Sequence, residues 1–218
     1  MNIDAVIQGI STWALPVLMA IILHEVAHGW VADRLGDNTA RFMGRLTLNP
    51  IKHIDPIGTV LIPVLLLAIG SPFLFGYAKP VPVDFRKLRN PKRDMIWVAL
   101  AGPVTNLLLA LLSALLLAIS AHLLPLLPWV ARPLALMCQA SIIINMALCI
   151  FNLIPLPPLD GGRVAVGLLP GPMAYQLSRI EPFGFLIIVL LLMSGLFQSV
   201  IGPLIMGSAN MLINLALP

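Results

Sequence analysis

The chain has 218 residues, 59% of them hydrophobic and only 10% charged, with a formal net charge of +4 and two cysteines. That composition excludes an ordinary soluble domain and indicates an all-α polytopic membrane protein of about four to six transmembrane helices. The positive charge does not indicate nucleic acid as a partner, because the basic residues flank apolar runs and the few aromatic residues are not interleaved with them.

Met1 to Gly9 carries Asp4 but no Lys or Arg, unlike the basic start of a secretory signal peptide. The apolar residues that follow predict a first helix over 10–33, and the run from Ile10 to Ala32 would be about 34 Å long, enough to cross a hydrocarbon core of ~30 Å. Inside this helix stands His24-Glu25-Val26-Ala27-His28. At about 100° per residue the two imidazoles project from one face, as two ligands of a single metal ion must. Glu25 sits beside them, where it would take a proton from a metal-activated water and pass it to the leaving amine. The plainer alternative is a pair of buried, hydrogen-bonded histidines, but ionisable groups this deep in apolar sequence are costly and usually functional. Glu25 precedes Asp33 by eight residues, about 12 Å of helix, so the site lies within the membrane near the side where residue 34 emerges.

Between residues 34 and 93 fall ten of the thirteen Lys and Arg residues, which assigns the region to the cytoplasmic side. A full crossing by the apolar stretch 57–75 would divide those cations between two sides, and Gly58, Pro63, Gly70 and Pro72 interrupt it, so a re-entrant hairpin is expected. Arg45 to Leu48 alternates in polarity and reads as a short strand, and Tyr77 to Val83, with Pro80 and Pro82, must be extended. Such a small β/re-entrant region either pairs with an unwound peptide substrate or only covers the site. His53, between Lys52 and Asp55, reads as a solvated or headgroup-level histidine.

A second long helix is expected over 95–120, containing Ala101-Gly102-Pro103-Val104-Thr105-Asn106, with small residues that allow close approach to a neighbour. Asn106 either bonds across helices or lines the site. The Pro-rich loop after it, with His122 and Arg132, should face outward. A third helix over 134–152 returns to the cytoplasmic side and holds Cys138 and Cys149, eleven residues apart, about 16 Å on a helix, so they are packing residues and not a disulfide. It runs into Asn152-Leu153-Ile154-Pro155-Leu156-Pro157-Pro158-Leu159-Asp160-Gly161-Gly162. Three prolines and a glycine pair predict an irregular segment over 153–165, close to the face where the first helix exits, which carries Asp160 towards His24 and His28. Residues 183–201 form a plausible last span, and 202–218 a further span, a re-entrant piece or an interfacial helix. The whole of 1–218 is expected to be one membrane-embedded domain.

With HEVAH in one helix, Ala-Gly-Pro-Val-Thr-Asn in a second and Asn-Leu-Ile-Pro-Leu-Pro-Pro-Leu-Asp-Gly-Gly after a third, the chain resembles the site-2 protease family of intramembrane zinc metalloproteases over about residues 10–165. The resemblance implies one zinc per chain held by His24, His28 and Asp160, Glu25 as general base, and Asn152 assisting at the site; Asn106 is a further candidate for assistance. It also implies cleavage of a substrate's transmembrane segment near the cytoplasmic side, as part of regulated intramembrane proteolysis. The chain looks like the minimal form of the family, without PDZ or CBS domains, and a bacterial plasma membrane is the expected location. The partners implied are a transmembrane protein substrate and the lipid bilayer. The competing function is a membrane metal or ion transporter built on the same His, Asp and Glu cluster.

Overall fold

The computed structural model describes residues 3–68 and 76–217, and among these the chain forms helices and irregular connections without a strand. Helix α1 spans Ile3–Arg34, a short α2 Thr39–Phe42, and α3 Ile62–Ala68. Two long helices follow, α4 (Pro91–Leu123) and α5 (Pro128–Asn152), then α6 (Asp160–Leu168), α7 (Gly171–Ser178), α8 (Glu181–Met193) and α9 (Gly202–Ala216). Among the described residues, four helical runs are long and apolar enough to cross a membrane: Ile7–Arg34, α4, α5 and Phe197–Ala216. The pair α7 and α8, bent by 61°, would make a fifth.

Helix α4 is the central post, packed against α1, α5, α6 and α9. Its buried face is read directly from the sequence: Gly102, Asn106, Ala110, Ser113, Leu117 and Ser120 recur every three or four residues, and most are small. Small residues at this spacing let helices approach closely where lipid offers no hydrophobic drive for association. On α5 the matching stripe is Cys138, Ile142, Asn145 and Cys149. Ala110 and Leu117 meet Cys138, Ile142 and Met146 of α5 and Ala209 and Ala216 of α9 in the main apolar core. Both cysteines are free thiols buried in this packing. Leu108, Leu112 and Leu115 on the other faces of α4 are exposed, as a lipid-facing surface requires.

Two expectations are corrected by the described residues, the strand over 45–48 and the single helix over 183–201. Arg45 to Leu48 is irregular rather than a strand. The extended segment over 77–83 contains Pro80 and Pro82, which lack the N–H a ladder needs, and Arg45 reaches that segment with its guanidinium. The described part of the stretch expected to re-enter is a π-helical turn over Pro56–Leu61 followed by α3, and at ~1.5 Å per residue this part covers about 20 Å. The remainder of that stretch, 69–75, lies outside the described residues. The helix expected over 183–201 divides: α8 ends at Met193, Gly195 turns the chain at φ +76°, and a new helical run begins at Phe197. A positive φ is open to glycine at little steric cost.

The Asp-Gly-Gly sequence also differs from expectation. It does not prolong an irregular segment; Asp160 opens α6, with the Gly162 and Arg163 N–H groups donating to Leu159 O at 3.0 and 3.2 Å. The glycines are needed for contact rather than for chain reversal, because a Cβ at Gly161 would strike the Leu153 carbonyl and one at Gly162 the Leu156–Pro157 peptide. The proline-rich turn thus folds back onto the first turn of α6 and holds Asp160 in place.

Candidate metal centre

His24 and His28 lie one turn apart on α1, and both rings face α4. A Cβ at Gly102 would collide with Nε2 of each ring, so this glycine is the gap into which the imidazoles fit. Behind the rings, the two Nδ1 atoms meet acceptors on the same helix. Nδ1 of His28 is 2.7 Å from the carbonyl oxygen of Val98, which can only accept, so this nitrogen carries the proton. Nδ1 of His24 is 2.6 Å from Oδ1 of Asn106, whose Nδ2 donates to Ala20 O at 3.2 Å and to Asn145 Oδ1 at 2.8 Å. The amide therefore presents its oxygen to His24, and Nδ1 of that ring is also the protonated one.

With a proton on each Nδ1, the two rings turn their Nε2 atoms towards each other, 3.0 Å apart. Oδ2 of Asp160 lies 3.3 Å from both. This oxygen is buried and accepts no hydrogen bond. Two ring nitrogens and a carboxylate oxygen converge here, all within 4.8 Å of one another, an arrangement that could hold one cation. Two imidazoles and a carboxylate suit zinc, which takes nitrogen and oxygen donors and in catalytic sites keeps one position open. Residues that hold the far nitrogen of a ligating histidine fix its tautomer and orientation, and here Val98 O and Asn106 stand in that place.

Glu25 faces elsewhere. Its Oε2 accepts the Val81 N–H at 2.8 Å. Val81 belongs to an irregular strap over residues 76–84, which is tied down at several points. The Tyr77 N–H donates to Gly58 O at 3.0 Å and the Lys79 N–H to His53 O at 2.9 Å. The buried Arg45 guanidinium donates to Lys79 O and Pro80 O at 2.9 and 3.2 Å, and the Asp84 N–H to Asp37 Oδ2 at 2.6 Å. The strap can come this close because residue 29 is glycine: a Cβ there would lie 2.6 Å from Val81 Cγ1 and 2.7 Å from Leu46 Cδ2.

Two adjoining cavities meet at His24, Glu25, Asn152 and Pro158. The first, of about 400 Å³, is walled by Tyr77, Leu148, Phe151, Leu159, Phe185 and Ile188; the second, of about 360 Å³, holds His28, Asp160 and Arg163 beside Pro80 to Val83. Asn152 borders both cavities and spends one N–H on Leu148 O at 3.0 Å. Asn106 stands differently from Asn152: it is fully buried behind His24 and borders neither cavity. His53 is a correction. It is 3% exposed, not solvated, and its Nε2–H donates to Thr47 O at 2.8 Å. His122 is exposed near the far end of α4.

The sequence profile of peptidase family M50 matches residues 12–131 and 130–195, a stretch that contains all of these groups. The chain belongs to peptidase family M50, the site-2 proteases. Among its relatives is "Putative zinc metalloprotease YwhC" of Bacillus subtilis, 37% identical over 92% of this chain and 89% of that protein. "Putative zinc metalloprotease Rip2" of Mycolicibacterium smegmatis is 32% identical over 81% of this chain and 64% of its own length. Its namesake from Mycobacterium tuberculosis is 33% identical over 66% of this chain and 52% of its own. No solved structure matches the chain. This site-2 protease is accordingly a zinc-dependent metallopeptidase and an integral membrane protein; family membership decides for hydrolysis over transport. Sequence reading missed Val98, Asn145, Arg45 and Val81. Of these only Asn145 leaves a signal, as a second amide in a long apolar run.

Proposed function

We propose that this M50 peptidase cleaves a transmembrane segment of a membrane-protein substrate, inside the bilayer near its cytoplasmic side, as the proteolytic step of a regulated pathway. The observation that carries the reading is the convergence of His24 Nε2, His28 Nε2 and Asp160 Oδ2 next to a carboxylate that borders two joined cavities. Those three atoms would hold one zinc per chain. When bound, zinc supplies Lewis acidity, which lowers the pKa of water and polarises a peptide carbonyl.

The chain's own residues do the rest. Glu25, oriented by the Val81 N–H, takes the proton of the attacking water and delivers it to the departing amine, a role suited to a carboxylate at the junction of both cavities. Asn152 has a second amide N–H beyond the one given to Leu148 O, and it steadies the negative charge that develops on the carbonyl oxygen. Substrate enters locally unwound, since in an intact helix each peptide carbonyl is already bonded within its own segment. The strap and the proline-rich turn are the two walls between which such an extended segment runs.

The basic region 34–93 supports a cytoplasmic placement of this end of the molecule, and a bacterial plasma membrane is the setting we infer. The test is comparative proteomics of membrane fractions from cells carrying the wild-type protein or Glu25→Gln. A membrane protein that persists intact only with the variant is expected. Identical membrane proteomes, with wild-type protein shown to be folded and zinc-loaded, would overturn the proposal.

A further inference from the structure

Asn145 lies on α5, 1% exposed, and does not touch the metal centre. Its Nδ2 donates to Ser141 O at 2.8 Å and approaches Ser141 Oγ at 3.2 Å, while Ser113 of α4 donates its hydroxyl to Ser141 Oγ at 2.7 Å. Ser141 O is a backbone carbonyl and can only accept, so the orientation of the Asn145 amide is settled: nitrogen towards Ser141, oxygen towards α4. That oxygen accepts from Asn106 Nδ2. The other hydrogen of the same Nδ2 goes to Ala20 O, which leaves Asn106 Oδ1 as the atom that meets His24 Nδ1. If the Asn106 amide turned over, its oxygen would face two acceptors and its nitrogen would face the ring. His24 would then lose its proton from Nδ1 and carry it on Nε2, the atom required as a metal donor.

We infer that Asn145 is a positioning residue that sets the tautomer of His24 through Asn106, by a chain of hydrogen bonds anchored on the backbone of α5. The inference rests on the reading of His24 as a zinc ligand only for its consequence, since the tautomer is a property of the metal-free protein. His28 reaches the same state by a different route, its Nδ1–H held by the backbone carbonyl of Val98. Its tautomer does not depend on any side-chain amide. This asymmetry makes the inference separable from packing.

Asn145→Leu removes the acceptor at similar size, and Asn145→Ala removes it without risk of overfilling the α4–α5 contact. Ser141→Ala, which leaves Ser141 O intact, is the control. The ring nitrogens are observed by 15N NMR of histidine-labelled, metal-free protein. Wild type and Ser141→Ala should show the Nδ1-protonated tautomer at both His24 and His28. Asn145→Leu and Asn145→Ala should show His24 divided between tautomers with His28 unchanged, and their zinc affinity should fall by about tenfold, the lower end of what loss of an outer-shell partner produces. A single unchanged His24 tautomer in either variant overturns the inference. So does a shift of both histidines together, or failure of both Asn145 variants to fold, since either outcome assigns Asn145 a packing role. Wild-type protein that shows the expected tautomers yet binds no zinc would overturn the metal reading and leave this one standing.

Discussion

A Cβ at Gly102 would lie 2.6 Å from Nε2 of His24. The donor atom of the ring therefore occupies the space of a missing side chain on another helix. Contacts below 3 Å to a Cβ require something to shift, and the atoms that would shift are the ones that must stay aligned. Gly102→Ala is expected to leave helix content unchanged while weakening zinc binding by about tenfold or more, comparable to loss of an outer-shell partner. Chelator competition followed by metal analysis, with circular dichroism alongside, checks this. Wild-type affinity in the variant would show that the rings do not need the gap.

Glu25→Gln keeps the size of the side chain and an oxygen able to accept the Val81 N–H, but removes the proton acceptor. The variant should hold about one zinc per chain, with peptide cleavage reduced by roughly 10²–10⁴-fold, the usual contribution of a general base. Residual activity near wild type would remove Glu25 from the reaction.

Asp160 and His53 are separated by the same measurement. Asp160→Ala deletes one of three converging donors and should leave the purified protein with little zinc. His53→Ala should retain zinc in full and instead lower thermal stability, because Thr47 O loses its partner, a loss of ~1 kcal/mol. The reverse pattern would make His53 the ligand.

Arg45 is the clamp on the strap, holding two successive carbonyls, Lys79 O and Pro80 O, from a buried position. Arg45→Met fills similar space without those bonds. Faster hydrogen exchange at the Val81 amide is expected, with unchanged zinc content and slower cleavage, since Glu25 loses a fixed partner when the strap loosens. Unchanged exchange at Val81 would show that the other ties suffice.

The candidate metal centre was largely legible without coordinates. Two imidazoles and a carboxylate at a helical interval in an apolar run are a local fact, and the cost of placing them in lipid makes an accidental reading poor. Asp160 could be brought towards them because helix length and the distribution of cations restrict which ends of the spans lie together. The character of its segment was read less well. Prolines followed by two glycines suggest a released backbone, whereas the glycines serve contacts with Leu153 to Pro157 that no local rule reveals.

Amino-acid sequence alone indicated that the protein lives in a membrane, placed the candidate His24, Glu25 and His28 group part-way along the first span, and brought Asp160 towards it. Tertiary structure alone decided what stands behind them: that His28 meets Val98 O and His24 meets Asn106, that Glu25 is held by Val81, and that His53 is buried despite its charged neighbours. Hydrophobic period and the cost of burying charge belong to residues and their near neighbours. The carbonyl or amide that a given ring nitrogen meets depends instead on how closely two helices approach, and small residues far apart in the chain control that distance.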